Sequence, residues 1–83
     1  MKEVPIKTEF IKLNQFLKWC GAAKIGSDAN HLIKEGRIKV NGEVEQRRGR
    51  KLYSGDIVSI DGGEQFLVTG EGSADIATKG ANT

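Results

Sequence analysis

The sequence has few of the residues from which disulfide, metal and catalytic sites are built. Its 83 residues include one cysteine, Cys20, and one histidine, His31. A single cysteine forms no internal disulfide, which indicates a reducing compartment, and one histidine without a second His or Cys beside it does not provide a metal set. We therefore expect no metal, no cofactor and no catalytic residues, so an enzyme is not the class of protein that the sequence favours.

Aromatic residues and long apolar runs are also scarce. There are three Phe, one Trp and one Tyr, too few for a large buried pocket around a small-molecule substrate. The sequence has no apolar run of membrane-spanning length, and its N-terminus lacks the apolar segment of a signal peptide. We expect a cytoplasmic protein without a membrane partner.

Positive charge is present, but it is unevenly distributed. The net charge of the chain is +2. When Lys and Arg are counted as positive and Asp and Glu as negative, the net charge is +2 for residues 1–33, +4 for residues 34–51 and −4 for residues 52–83. An asymmetry of this kind indicates a polyanion-binding middle rather than a uniformly charged surface.

The length favours one folded domain with a short segment on either side. Residues 1–9 are predicted to form an N-terminal arm, in which Pro5 restricts any strand to the edge of a sheet. Residues 10–69 form the folded domain. Residues 70–83, GEGSADIATKGANT, have little to bury and are expected to be a disordered tail.

Two short helices are predicted in the first half of the domain. The first has an apolar stripe at the i, i+3, i+4, i+7 spacing, made of Leu13, Phe16, Leu17 and Cys20. Gly21 ends it as a C′ residue. Ser27 is the expected N-cap of the second helix, which carries its own stripe and stops at Gly36. Two helices joined by a few residues form an αα-hairpin.

Short strands are predicted after the helices. Asn41-Gly42 between two alternating runs is a strong hairpin signal, since a type I′ turn needs positive φ at both central positions. Ile57–Ile60 and Gln65–Thr69 are two further strands, joined by a tight turn. The predicted fold class is α+β, an αα-hairpin packed on a small bent antiparallel sheet of three to five short strands.

The basic run after the hairpin is the main candidate binding site. It consists of Arg47, Arg48, Arg50 and Lys51, interrupted by Gly49. Most charge runs are solvated loops, but guanidinium groups suit phosphates and base edges better than ammonium groups do. This flexible loop directly follows the rigid hairpin, and we expect it to contact nucleic acid.

Further polar residues lie beside this loop in the predicted fold. Helical periodicity places Ser27, Asn30, His31 and Lys34 on the face opposite the core. Strand alternation directs Arg37, Lys39 and Asn41 outward. His31 is either a solvated helix residue or an RNA contact; a catalytic or metal role is the least favoured of its interpretations.

These residues follow a known pattern. The chain resembles, over residues 10–69, the S-four RNA-binding domain, named after the fourth protein of the small ribosomal subunit. The resemblance rests on Leu13-x-x-Phe16-Leu17, Gly21, Ser27-x-Ala29-x-x-Leu32-Ile33-x-x-Gly36-x-Ile38-x-Val40-Asn41-Gly42 and Gly55-Asp56-x-Val58. The extension from Glu43 to Leu52 is similar to the small stand-alone bacterial S-four-like proteins.

The resemblance implies an αL motif, in which the second helix and the following hairpin meet structured RNA. The contacts that it implies are Lys12, Ser27, Asn30, His31, Lys34, Arg37 and Lys39, and the loop with Arg47, Arg48, Arg50 and Lys51 is the subgroup's own addition. Asn41 is a further candidate contact, which we expect to hydrogen-bond to sugars or unpaired bases with Asn30 and His31. Family members commonly have Arg directly after the serine of the second helix. Here that residue is Asp28, which shifts the expected affinity toward the arginine loop.

The function that we expect is non-catalytic RNA binding by a monomer. The expected partner is structured RNA, ribosomal or transfer RNA, recognised through its backbone and shape, with the ribosome as a further possible partner. The alternative is a protein–protein interaction module in a ribosome-associated or regulatory complex, in which the arginines meet an acidic protein surface.

Overall fold

Seven short strands and two helices make up residues 1–70, the part of the chain that the computed structural model describes. The predicted disordered tail lies outside the described residues from residue 71 onward. In chain order the elements are β1 (Lys2–Ile6), β2 (Phe10–Lys12), α1 (Leu13–Trp19), α2 (Gly26–Lys34), β3 (Ile38–Val40), β4 (Glu43–Val44), β5 (Lys51–Tyr53), β6 (Ile57–Ile60) and β7 (Gln65–Gly70). Neither helix in this part of the chain has the length and apolar character needed to cross a membrane.

The αα-hairpin forms where the apolar periodicity predicted it. Leu13, Phe16 and Leu17 of α1 are buried, as are Ala29 and Ile33 of α2. Gly21 follows the end of α1 at a φ of 85°, a conformation that favours glycine.

The start of α2 differs from the prediction. The helix begins at Gly26, and Ile25 occupies the N-cap position without a side-chain hydrogen bond. Ser27 is therefore in the first turn and is not the cap. The difference is within the usual variation of helix ends, and the backbone N–H of Ala29 already finds an acceptor in the carbonyl of Ile25, at 3.2 Å.

The Asn41-Gly42 turn has the predicted geometry. The φ angles are 54° at Asn41 and 88° at Gly42, both positive, as a type I′ turn requires. Lys39 pairs with Val44, and Val40 pairs with Glu43. Alternation along β3 also agrees with the prediction, because Ile38 and Val40 are buried and Lys39 is exposed.

The main sheet has five strands in the order β1-β7-β6-β3-β4. The expected α+β class is confirmed, but the sheet is mixed rather than wholly antiparallel. The N-terminal strand β1 is parallel to β7, with Val4 opposite Val68. Pro5 is tolerated there because β1 is an edge strand and only one of its sides needs ladder hydrogen bonds.

A second, two-stranded sheet links the start of α1 to the end of the basic loop. In it β2 pairs antiparallel with β5, and Lys12 lies opposite Lys51. The rings of Phe10 and Tyr53 pack across this pair with centroids 5.9 Å apart. The sequence did not predict β2, whose three residues are too few to show alternation.

One apolar core joins the helix pair to the inner face of the sheet. Burial of these side chains provides the main driving force for folding in a domain of this size. The core consists of Val4, Ile6, Leu13, Phe16, Leu17, Ala23, Ala29, Ile33, Ile38, Val40, Leu52, Val58, Phe66 and Val68.

Candidate nucleic-acid interface

The basic loop between β4 and β5 is held against the start of α1. The first backbone N–H groups of a helix have no partner within the helix, and no side chain caps α1 within the described chain. The loop supplies acceptors instead: Leu13 N–H donates to the carbonyl of Arg50 at 2.8 Å, and Asn14 N–H donates to that of Arg48 at 3.0 Å. The loop expected to be flexible is thus fixed at two carbonyls.

A buried carboxylate organises two of the loop's arginines. Glu45 is 7% exposed and accepts hydrogen bonds from Arg47 Nε at 2.9 Å, Arg47 Nη2 at 3.1 Å and Arg50 Nη1 at 2.9 Å. The backbone N–H of Arg47 donates to it as well, at 3.0 Å. The side-chain hydrogen bonds from Arg47 are the main reason that the pKa of Glu45 falls to about 2, so the group is ionised at neutral pH.

The same loop also contacts the end of α2. Gln46 Nε2 donates to the carbonyl of Lys34 at 3.0 Å. At Gly36, just beyond α2, an added Cβ atom would lie 3.8 Å from both Gln46 Nε2 and Val44 Cγ1. The loop therefore bridges the beginning of one helix and the end of the other, which brings Lys12, Lys34 and the loop arginines into one region.

Polar contacts of Glu35 connect the end of α2 to the start of β3. Glu35 lies 2.6 Å from His31 Nε2 and 3.1 Å from Arg37 Nε. The side chains of His31 and Arg37 are largely exposed, so the Glu35–Arg37 ion pair contributes little to stability, on the order of 0–1 kcal/mol. Glu35 partly neutralises Arg37, a point that the sequence did not reveal.

The side chain of Asn41 is engaged within the fold. Its Oδ1 accepts a hydrogen bond from Ile57 N–H at 2.9 Å, and its Nδ2 donates to Asp56 Oδ1 at 3.2 Å. The other oxygen of Asp56 accepts from Tyr53 N–H at 2.8 Å. Asn41 and Asp56 thus join the hairpin turn to β6, and each polar atom of the Asn41 amide already has one partner within the fold.

The remaining predicted contacts differ in their distance from α2's end and in how far their side chains are exposed. Ser27 is exposed in the first turn of α2, about 10 Å along the helix axis from Lys34 at the usual rise per residue. Asn30 is half-buried, and its Oδ1 has no hydrogen-bond partner among residues 1–70. Lys39, Arg48 and Lys51 are exposed, and Lys51 Nζ lies 4.8 Å from the centroid of the Phe10 ring.

Metal and thiol chemistry have little support in residues 1–70. That range contains no group of three His, Cys, Asp or Glu side chains placed to hold a metal ion. Cys20 is half-buried, and burial raises the pKa of its thiol, which disfavours the reactive thiolate.

Glu45 is the residue of the basic loop whose contacts the sequence did not reveal. An acid at the end of a β-hairpin is ordinary, and its burial depends on the loop turning back over α1. The available signal was its spacing, since one carboxylate two residues before Arg47 and five before Arg50 can pair with both when the chain turns.

The fold and the loop define an S4 domain. The family model described as "S4 domain" matches residues 4–69, and the chain belongs to this family, as the resemblance in its sequence indicated.

Two small bacterial proteins match most of the chain. It is 45% identical over 65 residues to a Bacillus subtilis (strain 168) protein named "Probable ribosome maturation protein RlbA", covering 78% of this chain and 92% of that protein. It is 38% identical over 56 residues to an Escherichia coli (strain K12) protein named "Putative RNA-binding protein YbcJ", covering 68% and 80%.

A third relative is a larger protein. An Aquifex aeolicus (strain VF5) protein named "Uncharacterized RNA pseudouridine synthase" is 45% identical over 53 residues, which are 63% of this chain but 21% of that protein. The likeness to a protein named as an enzyme is thus confined to a small part of it.

Proposed function

We propose that this chain is a non-catalytic protein that binds structured RNA, with ribosomal RNA as the first target to test and transfer RNA as the second. The observation that carries the proposal is the fixed basic loop, which bridges the start of α1 and the end of α2 through its backbone and Gln46. Basic side chains at the start of α1, at the end of α2 and in the loop can then contact the same RNA.

Membership of the S4 family and the names of its small relatives support RNA as that ligand. One relative is named for ribosome maturation and another for RNA binding, and both are matched over most of their length. The proposal includes a cytoplasmic location and a monomeric state, as expected for a small ribosome-associated protein.

The chemistry of the surface favours recognition of backbone and shape. The deep, narrow major groove of an RNA helix hides its base edges, whereas phosphates and 2′-hydroxyls are accessible. Lys34, Lys39 and Arg48 are exposed, and none forms a side-chain hydrogen bond or ion pair with another of residues 1–70. They are therefore available to phosphates, and binding releases condensed counterions.

Reversal of these three charges tests the proposal. The variant Lys34→Glu, Lys39→Glu, Arg48→Glu should bind a labelled ribosomal RNA hairpin about 100-fold more weakly or worse, because three phosphate contacts become repulsive. Its circular dichroism spectrum should be unchanged, since no described side-chain contact is lost.

A matched variant controls for net charge. Lys2→Glu, Lys7→Glu, Lys24→Glu changes the net charge equally, at exposed lysines outside the candidate surface. We expect it to weaken binding by less than about fivefold, through long-range electrostatics alone. Equal losses in the two variants would contradict a localised site, and intact binding in the first would remove this surface from it.

A further inference from the structure

The geometry points to Glu45 as the positioning residue of the RNA-binding surface: its carboxylate orients Arg47 so that the outer guanidinium edge, Nη1 and Nη2, is a preset pair of donors for one phosphate group. The inference rests on the proposed function. It adds which residue orients Arg47 and which chemical group of the RNA Arg47 binds.

The pairing of Glu45 with Arg47 fixes the plane of the guanidinium. Nε donates to Oε2 at 2.9 Å and Nη2 donates to Oε1 at 3.1 Å, two parallel hydrogen bonds of a bidentate pair. A third bond, from the Arg47 backbone N–H to Oε2 at 3.0 Å, prevents the carboxylate from rotating away. The arginine is thus held at its backbone and at its side chain.

The remaining donors of Arg47 face away from the carboxylate. A guanidinium has five N–H groups, and Glu45 takes one from Nε and one from Nη2. The free donors are on Nη1 and on the outer side of Nη2, the edge whose spacing matches two oxygens of a phosphate. The side chain of Arg47 is 78% exposed whereas that of Glu45 is 9% exposed. Arg47 is therefore accessible to a ligand, and Glu45 is largely shielded from solvent.

Arg50 completes the pairing of Glu45. Its Nη1 donates to Oε1 at 2.9 Å, and its side chain is 30% exposed. One buried negative charge is therefore shared by two arginines, and the cluster keeps a net positive charge toward the ligand. This explains how an acid at the centre of a basic loop is compatible with binding a polyanion.

Fixing Arg47 before binding lowers the cost of the contact. A long side chain that becomes ordered on binding loses rotamer entropy, and this loss opposes association. Arg47 has lost most of that freedom in the folded protein. A phosphate suits the preset edge better than a guanine does, because the base edges of an RNA helix are hidden in its deep groove.

Substitution of two neighbouring acids separates positioning from charge. Glu45→Gln and Glu43→Gln each raise the net charge by one, and Glu43 is an exposed residue of β4. Electrostatics alone predicts that both variants bind RNA more tightly. Positioning predicts that Glu45→Gln binds a ribosomal RNA hairpin about tenfold more weakly, while Glu43→Gln does not bind more weakly than the unaltered chain.

The salt dependence distinguishes positioning from loss of fold. Glu45→Gln should show a slope of log affinity against log salt that is shallower by about one phosphate contact. Partial unfolding lowers the amount of active protein but leaves the slope of the folded fraction unchanged. Equal affinities and slopes for Glu45→Gln and Glu43→Gln would overturn the role of Glu45.

The variant Arg47→Lys tests the donor pair without disturbing the core. It preserves the charge at an exposed position and removes the forked edge, so we expect binding about tenfold weaker. In the Glu45→Gln background the same change should cost less than about threefold, because the pair is already broken. Fully additive losses would contradict the inference.

Modified RNA shows which chemical group of the RNA Arg47 binds. Replacing guanine by 7-deazaguanine in the hairpin removes a base acceptor and leaves every phosphate, so we expect unchanged affinity. A loss as large as that of Arg47→Lys would overturn the phosphate assignment. Absence of RNA binding by the unaltered chain would instead reject the proposed function itself, whereas the Glu45 variants test only the positioning.

Discussion

The two connections that flank β4 are both rich in polar residues, and they use them in different ways. At the Asn41-Gly42 turn, the amide of Asn41 bonds to Ile57 and Asp56, so both of its polar atoms take part in hydrogen bonds of the fold. In the loop that follows, Glu45 and two backbone carbonyls hold the chain, and the guanidinium of Arg47 stays exposed.

This comparison shows how structural and ligand-binding polar groups differ. Asn41 and Arg47 both face outward by strand and loop patterning, and the sequence placed both among the RNA contacts. The hydrogen bonds distinguish them, because both polar atoms of the Asn41 amide have a partner within the fold, whereas Nη1 of Arg47 has none among the described residues. The three predictions that follow test this difference.

The largest effect on stability is expected at Asn41. Asn41→Ala removes two hydrogen bonds and leaves alanine at a φ of 54°, a region in which asparagine is tolerated better than alanine. The free energy of unfolding should fall by about 2–4 kcal/mol, measured by urea denaturation.

Glycine at the same position separates the two causes. Asn41→Gly loses the hydrogen bonds but accepts positive φ freely, so it should be more stable than Asn41→Ala by about 1 kcal/mol. If both variants are as stable as the unaltered chain, the Asn41 amide is not a structural element and the contrast between the two connections fails.

The next effect concerns Glu45 and pH. The pKa of Glu45 is lowered from 4.5 to about 2 in the folded protein, mainly by hydrogen bonds from Arg47. A lowered pKa means that the stabilisation is complete above pH 4.5 and is lost as the pH falls toward 2. At pH 7, Glu45→Gln should lower the free energy of unfolding by about 1–3 kcal/mol.

Denaturation at several pH values checks the sign. The difference in stability between the unaltered chain and Glu45→Gln should narrow between pH 4.5 and pH 2, because protonated Glu and Gln are both neutral. A difference that stays constant over this range would show that the charge of Glu45 contributes nothing and that only its shape matters.

The smallest effect is expected at Gln46, a loop residue whose amide serves the fold. Its Nε2 donates to the carbonyl of Lys34 at 3.0 Å in an exposed setting. Gln46→Ala should lower the free energy of unfolding by about 0.5–1 kcal/mol, as an exposed hydrogen bond would. A larger loss in urea denaturation would show that the contact between loop and α2 stabilises more than one bond.

Local patterns predicted most of the elements. The spacing of Leu13, Phe16 and Leu17 predicted α1, and Asn41-Gly42 predicted the β3–β4 hairpin, because short-range sterics and periodicity determine both. The S-four resemblance added the family and the arrangement of the helix pair on a sheet, which the family match confirms.

Long-range pairing could not be predicted in the same way. The parallel alignment of β1 with β7 and the pairing of β2 with β5 join segments that are far apart in sequence, and no local signal specifies such partners. For the same reason, the sequence did not predict that the carbonyls of Arg48 and Arg50 accept hydrogen bonds from the first N–H groups of α1. The RNA contacts themselves remain predictions, since surface charge marks candidates and only binding measurements assign them.

The parallel edge strand has a consequence for how the chain folds during synthesis. Val4 and Val68 are neighbours in the sheet and both are buried, yet almost the whole domain separates them along the chain. Closing so long a loop costs entropy before any contact is gained. During synthesis from the N-terminus, β1 therefore lacks its partner strand until β7 has also been made.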